Sequence, residues 1–461
     1  MSSIVYPKVI PALDPDFVPA VLFNRKFRTD VESCGVRSVI GIERNDWDTF
    51  RIELQLFPED HPQFERNFPY IERIIKFLLW QHGGHTIYYS GSSSIANYLS
   101  GIYAKDGERA FDHQFFGSKV YEKEFRVIAC DEKDIPASTE SGMTLGGHLN
   151  GCRIGFDLGA SDRKVSAVLN GEPIFSEETI WEPSKNADPD YHYNEIMSAI
   201  QTAASKMERV DAIGGSSAGI IIDNRPMVAS LFRSVPESDF HKVKNIFLRI
   251  REEVGVPLEV INDGDVTALA GAMAIGENGI LGIAMGSSEA VGYVNTDGYI
   301  MGWLNELAFA PVDYNPSAPV DEWSGDKGCG ASYFSQQCVF RLAQVAGFDV
   351  PMELQDAEKL KYIQAKLEAD EPKAVAIWKT MGVYLGYGIA HYADFYDINH
   401  VLILGRCTSG RGGNLLLEGV DSVFQAEFPE LLKKIKLHLP DETIRRVGQS
   451  VAAASLPYLP R

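Results

Sequence analysis

Four short stretches of this chain combine residue types that can handle phosphate, protons or hydroxyl groups. Asp157-Leu158-Gly159-Ala160-Ser161 follows one apolar run and precedes another. Such a turn lets backbone N–H groups and a hydroxyl face a phosphate, while the carboxylate organises a hydrated Mg²⁺ through water. Taken alone, an ordinary hairpin turn is its simpler reading. Met285-Gly286-Ser287-Ser288 has the same form after the run ILGIA, and the two turns together point to a phosphate clamp. Asn262-Asp263 closes the run LEVI and opens a helical pattern through about Ala274. A carboxylate there is favoured by capping and by the helix dipole, and the same geometry lets Asp263 take a proton from an attacking hydroxyl as general base. Gly405-Arg406-Cys407-Thr408-Ser409-Gly410-Arg411-Gly412-Gly413 follows HVLILG; its glycines, Gly405 and Gly410 among them, permit close approach of a flat ligand such as adenine or ribose.

Other patterns carry less chemistry. Gly215-Ser216-Ser217-Ala218-Gly219 fits the G-x-S-x-G elbow of serine hydrolases, but the elbow requires a helix directly after the serine. Here Ile220-Ile221-Ile222-Asp223-Asn224-Arg225-Pro226 is a β-rich run closed by a turn, which leaves a flexible small-residue loop lining a polyol site as the alternative. His82-Gly83-Gly84-His85 lacks the further ligands that a metal needs and reads as a polar turn. Gly91-Ser92-Ser93-Ser94 precedes a helical pattern, where a capping serine is the simpler reading than an anion site. Neither a Walker nor a Rossmann glycine motif is in place, so any ATP is bound by another scaffold.

These residues must be positioned by more than one core, because 461 residues exceed what a single core usually holds. The 45% hydrophobic and 23% charged content is that of a globular protein, and no stretch is apolar enough to span a membrane. The first residues, MSSIVYPKVIPALDPDF, lack the pattern of a signal peptide. Net charge is −20 without a basic block, and no helix-turn-helix with a basic recognition helix is visible, so a nucleic-acid partner is not expected. Six dispersed cysteines without a CxxC pair argue against a disulfide framework or zinc ribbon and fit a reduced cytoplasm.

A glycine-rich stretch from Ser141 to Gly151 marks the clearest boundary. Before it, GVRSVIGI and TFRIELQLF predict strands, YIERIIKFLLWQ an amphipathic helix, and HTIYYSGSSSIANYLSGIY a strand, turn and helix, giving an α+β module of its own over 1–150. After it, CRIGFDLGA and VSAVLNG predict a hairpin, and YNEIMSAIQTAASKM and HKVKNIFLRIREEVG predict helices. The second half repeats the order with strands at GILGIAMGSS, AVGYVNTDGYIMG and HVLILG, which implies two similar lobes and a cleft.

In order and spacing, the segments from about 151 to 461 resemble the ROK family of bacterial sugar kinases and sugar-responsive repressors, within the actin/hexokinase superfamily. DLGAS resembles its DIGGT motif, IGGSSAGIIID its sugar-lobe segment, and GVPLEVINDGDVTALAGA its GxPVxVxNDANAAALAE block. AMGSS and VLILGRCTSGRGG sit where its GTG and VVLGGG motifs are expected. The resemblance implies a two-lobed, ribonuclease H-like α/β ATPase fold, with lobes over 151–262 and 263–440, a C-terminal helix at about 441–461 packing back on the first, and 1–150 added in front. It further implies a cytoplasmic ATP- and Mg²⁺-dependent carbohydrate kinase and leaves room for a homodimer. Asp263 would be the base; Asn262, Glu306, Ser216 and Ser217 would bind sugar. Asp157, Gly159, Ser161, Gly286, Ser287, Ser288, Gly405 and Gly410 would serve nucleotide and Mg²⁺. The departures are specific. The family's GEIGH is Asn305-Glu306-Leu307-Ala308-Phe309 here, without its histidine; of the zinc loop's thiolates only Cys329 remains, so no zinc is expected, and Ala331 stands for a sugar-contacting glutamate. Asp162 and Glu289 add carboxylates beside the two phosphate turns. The alternative is therefore a catalytically inactive sugar-binding sensor or regulator without a DNA-binding head; the loop at 322–331, lacking a metal staple, is expected to be held by packing, and the insertion at 311–326 to be more mobile than its surroundings.

Overall fold

A computed structural model describes residues 5–45, 48–139, 145–351, 353–440 and 442–459, with the side chains of 442–447 excepted. Residues 141–144 of the expected boundary, and Asp441, Pro460 and Arg461 of the expected terminal helix, fall outside them. The chain begins with α1 (Ala20–Val31), β1 (Val36–Asn45), β2 (Asp48–Leu56), α2 (Asn67–His82), β3 (Thr86–Ser90), α3 (Ser93–Ile102), α4 (Ala110–Gln114) and β4 (Arg126–Ala129). Next come β5 (Cys152–Leu158), β6 (Asp162–Leu169), β7 (Glu172–Ile180), α5 (Pro189–Ala204), β8 (Ala212–Ser217), β9 (Ile220–Ile222) and β10 (Arg225–Val228). They are followed by α6 (Phe240–Lys244), α7 (Ile246–Val254), β11 (Leu258–Asn262), α8 (Asp263–Ile275), β12 (Ile280–Met285) and β13 (Glu289–Val294). The last part holds α9 (Gln336–Val345), α10 (Asp356–Glu368), α11 (Pro372–Tyr392), β14 (His400–Leu404), α12 (Gly412–Glu427), α13 (Pro429–Lys434), β15 (Lys436–His438) and α14 (Glu442–Ala454). The single helix expected over HKVKNIFLRIREEVG is two, because Asn245 leaves helical geometry at φ −103, ψ 10. No described helix is long and apolar enough to cross a membrane.

Two compact units divide the chain: Met1–Ser141 with Ile283–Val291 and Trp303–Leu439, and Gly142–Gly282 with Gly292–Gly302 and Pro440–Arg461. The second unit is built on a five-stranded sheet of order β11-β8-β5-β6-β7. β5, β8 and β11 run parallel, while β6 and β7 continue antiparallel. Its core joins Ile154, Phe156 and Val165 of the sheet to Ile196 and Ile200 of α5 and Phe247 and Ile250 of α7. α14 lies on β5, β8 and α8. That contact needs Gly155 and Gly214, which are paired across β5 and β8: a Cβ on either would overlap the backbone oxygen of Ser450 or Ala453.

The first unit contains a four-stranded sheet ordered β2-β1-β3-β4 and most of a second ordered β13-β12-β14-β15, with α1 against α11 and α11 against α12. Residues 1–141 thus share a unit with 303–439 rather than standing as a module of their own. Backbone bonds show the physical reason: Ala20 donates to Val312 O (3.0 Å), Tyr314 to Val18 O (2.9 Å), and Asn305 and Glu306 to Gln81 O and Trp80 O (2.9 and 3.0 Å).

The charged side of α2 is buried as well, where an amphipathic helix would expose it. Lys76, 1% exposed, pairs with Asp112 (3.1 Å) and Asp326 (3.3 Å). Arg73 and Arg109 reach the same Asp326 at 2.9 and 2.7 Å, and both also pair with Glu72. Trp80 Nε1 donates to Asp112 (2.9 Å). Three cations face three carboxylates in this buried set, which fastens the 322–331 loop by ion pairs where packing alone was expected.

Candidate functional site

In the second unit the parallel strands bring the expected residues to one edge. Asp157 of β5 lies beside Ser216 of β8, which lies beside Ile261 of β11; Leu158, Ser217 and Asn262 form the next row. Asp263 follows as the first residue of α8. The carboxyl ends of parallel strands, where the chain turns into helices, are the usual place for ligands in open α/β sheets. Asn262 caps α8, its Oδ1 accepting from Gly264 N (2.7 Å), and its Nδ2 donates to Gly219 O (2.8 Å). Both ends of that amide are therefore spent on fixing where Asp263 stands. Ser216 and Ser217 are wholly buried strand residues rather than a flexible polyol-lining loop. Ser216 Oγ donates to Asp157 Oδ1 (2.6 Å). The chain continues into β9, not a helix, so the hydrolase elbow is absent.

Asp157 is 6% exposed, and burial pushes its carboxyl up to about 6; the Ser216 bond opposes this and the charge of Asp263 adds to it. Asp263 is raised too, chiefly by burial, against the backbone N–H groups at the start of α8. A buried carboxyl whose ionisation a second carboxylate opposes suits a nearby divalent cation or a retained proton. Because the folded-state value of Asp157 lies above that of an unfolded aspartate, the group favours folding at acid pH, and this contribution fades as the pH rises from about 3.8 through 6. Replacing Ser216 by Ala removes the bond to the charged form, worth about 1.5 kcal/mol, and should move the Asp157 midpoint up by about one unit. A carboxyl ¹³C NMR titration measures it, and an unmoved midpoint would take Ser216 out of this role.

The first phosphate-type turn is self-contained. Gly159 N donates to Asp162 O (3.0 Å), Ser161 Oγ to Asp162 Oδ2 (3.0 Å), and Trp181 Nε1 to Gly159 O (2.8 Å). In the first unit Gly286 N likewise donates to Ser288 O (3.1 Å). Both leading glycine amides thus close their own turns, while Ser161, Ser287 and Ser288 remain exposed. Gly405, at φ +98, lies against the backbone of Met285, so the glycine-rich turn and the Gly286 turn are neighbours. Gly410, at φ +60, faces Glu368 of α10, whose Oε1 accepts from Arg411 N (2.9 Å).

Glu306 belongs to this unit and heads the 3₁₀ turn Leu307–Phe309. Before it, Asn305 holds φ +53, and its Oδ1 accepts from Tyr396 Oη (2.9 Å). The carbonyls of Trp80 and Gln81 at the end of α2 anchor both backbone N–H groups. The sequence reading missed this support entirely, and a backbone carbonyl leaves no trace in side-chain patterns. Cys329 is buried near Lys76, and burial pushes its thiol up to about 12. His82 stacks on Phe50 (3.8 Å) and His85 meets Thr86 (2.9 Å), so the His-Gly-Gly-His stretch is spent in packing. Ser92 caps α3 through Ile95 N. Among the described residues no three His, Cys, Asp or Glu side chains are grouped to hold a metal.

No protein-family model matches the chain. No curated protein matches it in sequence. Solved structures do match. A ROK hexokinase from Thermus thermophilus is 19% identical with a TM-score of 0.53, over 66% of this chain and 96% of that one. A ROK family transcriptional regulator, a homologue of the E. coli MLC protein, is 19% identical with a TM-score of 0.51, over 67% and 78%. A ROK family glucokinase from Streptomyces griseus in complex with glucose and AMPPNP is 20% identical with a TM-score of 0.48, over 66% and 98%.

Proposed function

We propose that the chain, which shares the α/β fold of the ROK hexokinase, is an ATP-dependent carbohydrate kinase. The observation that carries this reading is the placement of Asp157 and Asp263 at the carboxyl ends of the parallel strands β5 and β11. Asp263 would take the proton of a sugar hydroxyl as its oxygen attacks the γ-phosphorus, while the bond between that phosphorus and the bridging oxygen breaks and ADP departs. Asn262 would fix Asp263, and Glu306 would bind sugar hydroxyls. Ser161, Ser287, Ser288 and the turn bearing Gly405 and Gly410 would receive the nucleotide. The donor chemistry of Asp157 fits a hydrated Mg²⁺, since a cation relieves the repulsion that raises its proton affinity. Bound there, Mg²⁺ would supply charge neutralisation to the phosphates.

Calorimetric titration with a panel of sugars, with and without Mg-ATP, tests the reading. Binding of both a sugar and Mg-ATP, followed by ADP release, is the expected result; sugar binding without any nucleotide binding would overturn it. That second outcome is what a sensor would give. Its supporting observation is Asp162, whose carboxylate occupies the Ser161 hydroxyl at the first turn.

A further inference from the structure

Glu289, the first residue of β13, is 3% exposed and has the surroundings of an uncharged acid. Its Oε1 accepts from Tyr392 Oη (2.9 Å), and its Oε2 has no hydrogen-bond partner. Oε2 presses on Gly330, where any Cβ would overlap it. The Leu307 carbonyl borders the same space, 2.6 Å from where that Cβ would stand. Oε2 and the Leu307 oxygen, which already accepts from Ala310 N (2.9 Å) in the turn that Glu306 heads, thus border one small space beside Gly330. The ionisable groups acting on Glu289 are Tyr392 of α11 and Glu306, while Tyr396 and Cys329 act on Tyr392. None is a cation, so an anion at this place would be buried without compensation. Burial pushes Glu289 up to about 8; Tyr392 opposes this and the Glu306 carboxylate adds to it.

We propose that Glu289 is a positioning residue for Glu306: as a neutral acid facing the Leu307 carbonyl it fixes the turn from which Glu306 reaches its ligand, and as an anion it unseats that turn. The Glu306 ligand is a sugar hydroxyl only if the kinase or sensor reading holds; the link between the two glutamates rests on the geometry alone. Loss of the proton places a negative charge against both a carbonyl oxygen and the Glu306 carboxylate, which like-charge repulsion drives apart. Helix α11 grips the same segment twice, through Tyr392 on Glu289 and Tyr396 on Asn305, so the displacement is expected to be confined to the turn.

The test uses the full chain, with amide NMR of Glu306 and Leu307 followed from pH 6 to 9.5. In the wild type both signals should move with one midpoint near that of Glu289. Glu289→Gln, a neutral side chain of the same shape, should abolish the movement. Tyr392→Phe removes the bond that favours the anion and should shift the midpoint to higher pH, which keeps the test open if the first variant fails to fold. Signals that do not titrate, or that titrate alike in Glu289→Gln, would overturn the proposal. Calorimetry with D-glucose, D-mannose and N-acetylmannosamine is the second arm. Affinity should fall about tenfold or more between pH 7 and 9.5 in the wild type, as the neutral fraction falls to a few per cent, and stay level in Glu289→Gln. NMR movement without binding of any of these sugars would support the link and refute Glu306 as a sugar ligand.

Discussion

Replacing Asp263 by Asn is expected to lower turnover by about 10²-fold or more while leaving sugar and Mg-ATP affinity within a few-fold. The reasoning starts from local structure. Asp263 is the first residue of α8, and the capping bond that begins the helix comes from Asn262, not from Asp263 itself. An amide of the same size at 263 should leave the helix in place and cost little stability. What it removes is an acceptor for the hydroxyl proton and one of the two charges that raise Asp157. The Asp157 midpoint should therefore fall in Asp263→Asn, an effect readable by carboxyl NMR without any substrate. Steady-state kinetics and that titration together separate the roles: unchanged turnover would reduce Asp263 to an element of the helix start, and an unchanged Asp157 midpoint would show that the two carboxylates do not interact.

Asp326→Asn is expected to destabilise the first unit by about 3 to 5 kcal/mol, the usual cost of removing one partner from a buried ion set. The substitution leaves Arg73, Lys76 and Arg109 facing Glu72, Asp112 and the exposed Glu108. Burial alone would push the Asp326 carboxyl up, but Lys76, Arg73 and Arg109 outweigh it and hold the group well below the usual carboxylate range. Its folded-state value being lower than the unfolded one, it contributes stability above about pH 3.8 that is lost as the pH falls toward the folded value. Denaturant unfolding at pH 7 should show the loss, and the acid limb of the wild-type stability profile should be flatter in the variant. Adding Lys76→Met restores charge balance, so the double variant should recover part of the deficit, a coupling that a mutant cycle measures. A loss under 1 kcal/mol would mean that the loop is held by packing after all.

Much of this protein could be inferred from residue order because the relevant interactions are local. Continuous apolar runs ended by small residues gave β5, β11 and β12 with their turns, since a strand buried on both faces needs such a run and a tight turn needs glycine, whereas the glycine- and serine-rich β8 read as a loop. Asn262 before Asp263 announced the start of α8, because a capping side chain satisfies N–H groups two residues on. The absence of a helix after Ser217 ruled out the hydrolase elbow for the same local reason. Other features depend on partners hundreds of residues away. The Lys76–Asp326 pair, the Tyr392 bond to Glu289, and the anchoring of Glu306 by the Trp80 carbonyl are contacts that no spacing encodes. An amphipathic α2 predicts a solvated charged face; only the arrival of Asp112 and Asp326 lets that face be buried, because a charge leaves water when its neutralising partners are already in place. Likewise, glycines that read as phosphate contacts turned out to use their own amides to close the turns, a choice set by backbone geometry that composition does not carry.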